Sequence, residues 1–234
     1  MVSLRTRVLS HELMDSPDLP RPDVDAALRG LARLNRLSNA PGILWRAIKP
    51  FTRPGDRVSL LDIATGSGDV PIAVARRAAR SGVVIDLSLA DLRPEMRAAA
   101  AQNAASANIP ARTLAFDAVR DAIPESCDFI TASLFTHHLS DDEVVALLRS
   151  AASAARKALV VSDLSRSTPN LAMVWLTSRL VTRSHVVHTD GPLSVRAAFT
   201  PKEFASLAEK AGLRGGRIRG APPCRFVYVW SPGA

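Results

Sequence analysis

Short apolar runs alternate with helix-period stretches along most of the chain, and their order predicts an α/β fold. Val58, Leu60, Leu61 and Ile63 form a run that is short and apolar in both directions, as in a buried parallel strand. Ile72 to Ala79 continue as a helix that ends at Ser81-Gly82, and Val83 to Ala90 make a second strand closed by Asp91. The stretch DLRPEMRAAAAQNA reads as the next helix, Ala111 to Phe116 as the third strand, and Cys127 to Ala132 as the fourth. Ser140 followed by Glu143 is a capping box that opens a helix from Val144 to Ala155, before a fifth strand, Ala158 to Leu164. Asn170 to Val181 is patterned as an amphipathic helix, and Arg183 to Arg196 as a polar stretch. Thr200-Pro201-Lys202-Glu203 starts a helix running to Lys210. Leu213 to Arg219 and Cys224 to Trp230 finish the chain as a hairpin.

Residues 1–50 read differently. His11 to Pro22 holds three prolines and reads as a turn-rich connector. Asp23 is placed to cap a helix whose apolar positions are Val24, Leu28, Leu31, Leu34 and Leu37. Asn39-Ala40-Pro41-Gly42 breaks it, and Ile43 to Ile48 form a further short helix with Trp45. The expected organisation is an N-terminal helical lid (1–50) on a single domain (51–234), with residues 165–198 as an insert on the acceptor side.

Composition narrows the field. An apolar content of 47% is ample for a core, and the net charge of +8 comes from an arginine-rich basic set. The arginines are scattered and aromatics are only 5%, so a nucleic-acid stacking platform is poorly supplied. No apolar run is long enough to span a bilayer, and the first ten residues lack a signal core, which points to a cytoplasmic protein. Cys127 and Cys224 fit no metal or disulfide spacing and read as inert core thiols.

The chemistry concentrates after the first strand, in VSLLDIATGSGDVP. A glycine turn between a strand and a helix lets a ligand approach bare backbone. A dinucleotide fingerprint needs a third glycine where Pro71 stands, so it fails. Pro71 instead suits a first helical turn. Asp91 lies where an acid meets a ribose diol; it could also cap the helix that follows, but its spacing from the glycine turn favours the ribose. The acids Asp141 and Asp142 are explained by a helix start without any metal.

The pattern D-x-A-x-G-x-G at Asp62 to Gly68 resembles the first motif of the class I S-adenosylmethionine (SAM) methyltransferases, in the alanine variant of ubiquinone- and menaquinone-type enzymes. That resemblance covers Val58 to Trp230 and implies a Rossmann-like seven-stranded sheet with a terminal antiparallel hairpin. It further implies SAM as cofactor, held by Asp62, Ala64, Thr65, Gly66, Gly68 and Ser133. Asp91 would face the ribose, Leu92 and Met96 would flank the adenine, and Asp117 with Ala118 would meet its amino group. ELMDSPDL, ALRGLARLNRLS, LFTHHLSDDEV and DGPLSVRAAFTP are similar to bacterial small-molecule methyltransferases found beside type III polyketide synthases, thought to act on phenolic or quinone-like products.

Methyl transfer from a sulfonium needs alignment, exclusion of water and removal of a proton. His137 and His138, at the end of the fourth strand, are candidate bases; adjacent side chains should diverge, so at most one is catalytic, and His137 is preferred. His185 and His188 in the insert are alternatives. The expected partner is an aromatic small molecule, with no nucleic acid; a homodimer is compatible with the sequence. A nucleic-acid methyltransferase or a non-catalytic SAM-binding protein is the competing reading. It is disfavoured because SLFTHHL stands where an amino-methylating enzyme shows a (D/N/S)-P-P-(Y/F) motif.

Overall fold

The computed structural model describes residues 4–233. Seven strands, β1 (Arg57–Ile63), β2 (Val84–Asp91), β3 (Ala111–Ala115), β4 (Cys127–Ser133), β5 (Ala155–Leu164), β6 (Arg217–Ala221) and β7 (Arg225–Trp230), form one sheet in the order β3-β2-β1-β4-β5-β7-β6. β1 to β5 run parallel, and β7 lies antiparallel between β5 and β6. The expected α/β sheet with its terminal hairpin is therefore present.

Among the described residues the α-helices are α1 (Arg21–Leu37), α2 (Ala40–Ile48), α3 (Asp69–Ala79), α4 (Pro94–Ser106), α5 (Asp141–Ala154), α6 (Thr168–Val181), α7 (His185–Ala197) and α8 (Pro201–Lys210). Each central strand is apolar in both directions because helices cover both faces. Leu60, Phe129 and Val160 meet α2, α3 and α4 on one side, whereas Leu61, Ile130 and Val161 meet α5 and α8 on the other. The expected capping box forms between Ser140 and Glu143, and the helix start at Thr200 proves to be a second one, with Glu203. The chain order of the strands reverses between β1 and β4, so the crevice for a ligand opens above their C-terminal ends.

Several local expectations are corrected. α1 starts at Arg21 with Pro20 as its N-cap, and Asp23 lies inside the first turn rather than capping it. The proposed lid is two things. α2 is a sheet-covering helix with Trp45 in the core, whereas α1 packs on α6 and α7 above the strand ends. Residues 185–197 form a helix, not a polar loop. Val186, Val187, Asp190 and Val195 are buried in it, and the Gly191-Pro192 pair that reads as a breaker sits inside. Gly191 lets α6 come close, since a Cβ there would lie 3.0 Å from Val174 Cγ1. That packing offsets the hydrogen bond a helical proline removes. α6 is not amphipathic, because its apolar residues point both inward and to solvent. Cys224 belongs to the β6–β7 turn at φ 60° and is half-buried, not a strand-core thiol; Cys127 is buried as expected.

Candidate active site

The turn after β1 takes Ala64, Gly66 and Gly68 to positive φ, at 51°, 56° and 71°. A Cβ on Gly66 would meet nothing within 4 Å, so its bare face looks into open space. Gly68 is different: a Cβ there would press on Ile72, Ala100 and Leu89, so this glycine serves helix–sheet packing. The turn is fastened from three sides. Thr65 N–H donates to the Ala90 carbonyl (3.0 Å), Gly66 N–H to Asp91 Oδ2 (2.9 Å), and Asn103 Nδ2 to the Ser67 carbonyl (2.9 Å). Beneath it Asp62 accepts from Thr131 Oγ1 at 2.5 Å, and burial pushes its carboxyl up to about 7.

β4 leads into a second constellation. Leu134 takes φ 55° and Thr136–His138 close a 3₁₀ turn. His137 Nδ1 lies 2.7 Å from Asp163 Oδ1 at the end of β5. The other oxygen of Asp163 accepts from Thr136 Oγ1 (2.6 Å) and His137 N–H (3.1 Å). Burial works against the Asp163 charge, but His137, Thr136 and Leu164 outweigh it and hold the carboxyl at about 2. Burial would likewise lower His137, yet Asp163 holds the imidazole above its usual value. His138 goes the other way, pushed down by desolvation and by the neighbouring His137. The two rings do not diverge as a strand would make them: the 3₁₀ turn stacks them with centroids 4.3 Å apart.

In front of both imidazoles stands Glu12, from an N-terminal strap that precedes α1. Its oxygens lie 3.8 Å from His137 Nε2 and 3.9 Å from His138 Nε2, and it accepts from Ser194 Oγ at 2.5 Å. Burial pushes the Glu12 carboxyl up to about 7. The strap is tied along its length. Arg7 donates to the carbonyls of Ala197 (2.5 Å), His137 (2.9 Å) and Leu139, and stacks 3.8 Å over the Phe199 ring. Leu13 and Met14 N–H both donate to Asp190, and Arg93 donates to the Met14 carbonyl at 2.6 Å. Glu12, His137 and His138 bring one ligand atom each within 4.8 Å of one another. Ligands of a tetrahedral metal at ~2.1 Å stand ~3.4 Å apart. The observed spacings are wider, and Ser194 already bonds one Glu12 oxygen, an arrangement suited to sharing protons.

A cavity of about 410 Å³ joins the two constellations. Its floor contains Asp62, Ala64, Thr65, Gly66 and Ser133, its wall Glu12, His137 and His138, and its roof α1, α6 and α7. Ser133 Oγ is buried there without a hydrogen-bond partner in the protein. The open side of Gly66 and this unused hydroxyl fit the polar methionine end of SAM.

Other expected residues lie outside the cavity. His185 is exposed on the outer side of α7, 3.9 Å from Asp23, and His188 donates from Nε2 to the Thr182 carbonyl. Gly68 and Met96 are packed into the core, Leu92 is exposed, and Asp117 caps its own turn through the N–H groups of Val119 and Arg120. Ala118 packs against the apolar cluster beneath α5. Asp91 spends one oxygen on Gly66 and the other on Arg93 N–H (3.0 Å), so it ties the turn to the start of α4. Trp45, Trp175 and Leu176 do not face the cavity; Leu34, Leu37 and Met173 do. Glu12 and Asp163 join the site only through tertiary contacts with His137.

Residues 60–158 match the family described as a methyltransferase domain. Among solved structures, the SAM-dependent methyltransferase SibL in its apo form is similar at 20% identity and TM-score 0.65, over 97% of this chain and 64% of that one. The plantazolicin methyltransferase BpumL, solved with a monoazolic desmethylPZN analog and SAH, is similar at 18% and 0.66, over 92% and 90%. An O-methyltransferase family protein from Burkholderia thailandensis aligns at 16% and 0.65, over 88% and 58%. No curated protein matches the sequence. The sheet order and these likenesses give the chain the fold of the class I methyltransferases, and the methyltransferase-domain match lies within that sheet. The chain spans less than two thirds of SibL and of the Burkholderia protein.

Proposed function

We propose that the protein transfers the methyl group of SAM to a hydroxyl of an aromatic, phenolic or quinone-like small molecule, as a cytoplasmic enzyme of secondary metabolism. The observation that carries this reading is the buried Asp163–His137 pair on the wall of a largely apolar cavity whose floor is the glycine turn. A cavity of that size and lining suits an aromatic acceptor. Bound on the turn, SAM supplies an electrophilic methyl group. Asp62, Thr65, Gly66 and Ser133 would hold its amino-acid end, and Asp91 would meet the ribose while keeping Gly66 in place.

His137 takes the acceptor proton. Asp163 fixes its tautomer by accepting from Nδ1, which leaves Nε2 to face the cavity. Glu12 stands beside Nε2 and receives or returns that proton as the acceptor arrives. α1 and the strap form the lid over the methyl donor, excluding water from the transfer. A roofed cavity also speaks against a nucleic-acid polymer as acceptor.

The test is calorimetric titration with SAM, followed by a screen of phenolic acceptors read by product mass. His137→Ala should leave SAM affinity intact and lower turnover by ~10²–10⁴, with partial recovery at high pH where the phenol ionises unaided. Full turnover in that variant would reject the assignment of the base. Absence of SAM binding by the wild type would reject the whole reading.

A further inference from the structure

α6 is apolar on two opposite sides. Val174, Thr177, Ser178 and Val181 line the cavity, whereas Met173, Trp175, Leu176 and Leu180 are 41%, 50%, 51% and 75% exposed. Leu37, at the end of α1, adds a further 69% exposed side chain at the cavity rim. A helix that is apolar all round belongs in a buried setting, and a contiguous exposed apolar patch marks a contact surface. Helical spacing puts Ala172, Leu176, Arg179 and Leu180 on the outer face, with Trp175 and Met173 at its margins.

We propose that this face docks on an anionic lipid surface. The charge pattern selects that occupant. From Leu164 to Thr189 the sequence contains no aspartate or glutamate, while Arg179 projects on the same side as the leucines and Arg183 is exposed just beyond the end of the helix. Arg179 stacks 4.3 Å over the Trp175 ring, and exposed Arg36 adjoins Leu37. In a two-fold contact these arginines would meet their own copies, a like-charge arrangement that disfavours a second copy of the chain. Anionic headgroups would pair with the arginines while the leucines enter the acyl boundary. Trp175 would then sit at headgroup depth, where tryptophan is enriched. Met173 and Leu37 both line the cavity and border this face, so an apolar acceptor dissolved in the bilayer would reach the site without crossing water. The inference stands apart from the identity of that acceptor.

The experiment is co-sedimentation with vesicles of phosphatidylglycerol and phosphatidylcholine against phosphatidylcholine alone, with sedimentation velocity on the free protein. The wild type should partition at least tenfold more strongly to the anionic vesicles, lose that preference at 0.5 M salt as the charges are screened, and blue-shift its Trp175 emission. Leu176→Glu with Leu180→Glu touches no cavity residue, so it should abolish partitioning while SAM titrates as in the wild type. Equal vesicle binding by wild type and variant would overturn the proposal. So would a wild-type dimer that the double substitution converts to monomer while vesicles remain unbound.

Discussion

Replacing Glu12 by glutamine should make the protein more stable at pH 8 and change it little at pH 5. Glu12 is 8% exposed, and its carboxyl is held at about 7 against an ordinary 4.5, chiefly because burial disfavours the charged form. His137⁺ and Ser194 act against that shift, while Asp190 and Asp15 reinforce it. The folded state therefore holds the proton more tightly than the unfolded chain. Stability falls as pH rises from about 4.5 to 7, and the cost is constant above that. At about 1.4 kcal/mol for each tenfold difference in proton affinity, the penalty at pH 8 is at most ~3.5 kcal/mol. For a chain of this size that corresponds to ~7–14 °C in Tm as an upper bound. The strap can lift before the sheet melts, which caps the cost at its own opening free energy. Glutamine keeps the shape and an acceptor for Ser194 without the charge. The assay is thermal melting of both proteins at pH 5 and 8, with hydrogen exchange at Leu13 and Met14, whose N–H groups bond Asp190. A Tm difference that is equal at the two pH values, or larger at pH 5, would refute the reasoning. Turnover should fall in the same variant, since Glu12 faces His137 Nε2.

Asp91→Ala should lose both Tm and at least tenfold in SAM affinity, because it leaves the Gly66 and Arg93 N–H groups without acceptors; Asn at this position isolates the ribose contribution if Tm holds while affinity drops. Gly66→Val should abolish SAM titration in a protein that still melts cooperatively, since its open side faces the cavity and φ is 56°. Ala64→Gly should be neutral to stabilising by up to ~1 kcal/mol, because Ala64 sits at φ 51° where an L side chain is strained; a clear Tm loss would count against that strain.

Local chemistry explains how much of this was legible in the sequence. Strand and helix order came through because each core strand is buried on both faces and most helices carry their own punctuation, as with Ser140 and Glu143. The glycine turn was legible because three positive-φ positions in five residues leave a compositional mark. α7 was not, because Gly191-Pro192 is a breaker by local rules and only the contact with Val174 explains a helix there. Asp163 did leave a signal, an acid at the end of an apolar strand just as Asp62 and Asp91 stand at theirs. What the sequence lacked was the partner that gives it meaning, His137, 26 residues away. Glu12 left none. It comes to the site only because Arg7 reads three carbonyls and Asp190 takes two strap N–H groups, contacts that span more than 120 residues of chain. The motif-rich half of the site is built from neighbours in sequence and was readable. The half that would move the proton is assembled by a strap that folds back over the finished sheet, so its chemistry appears only with the tertiary structure.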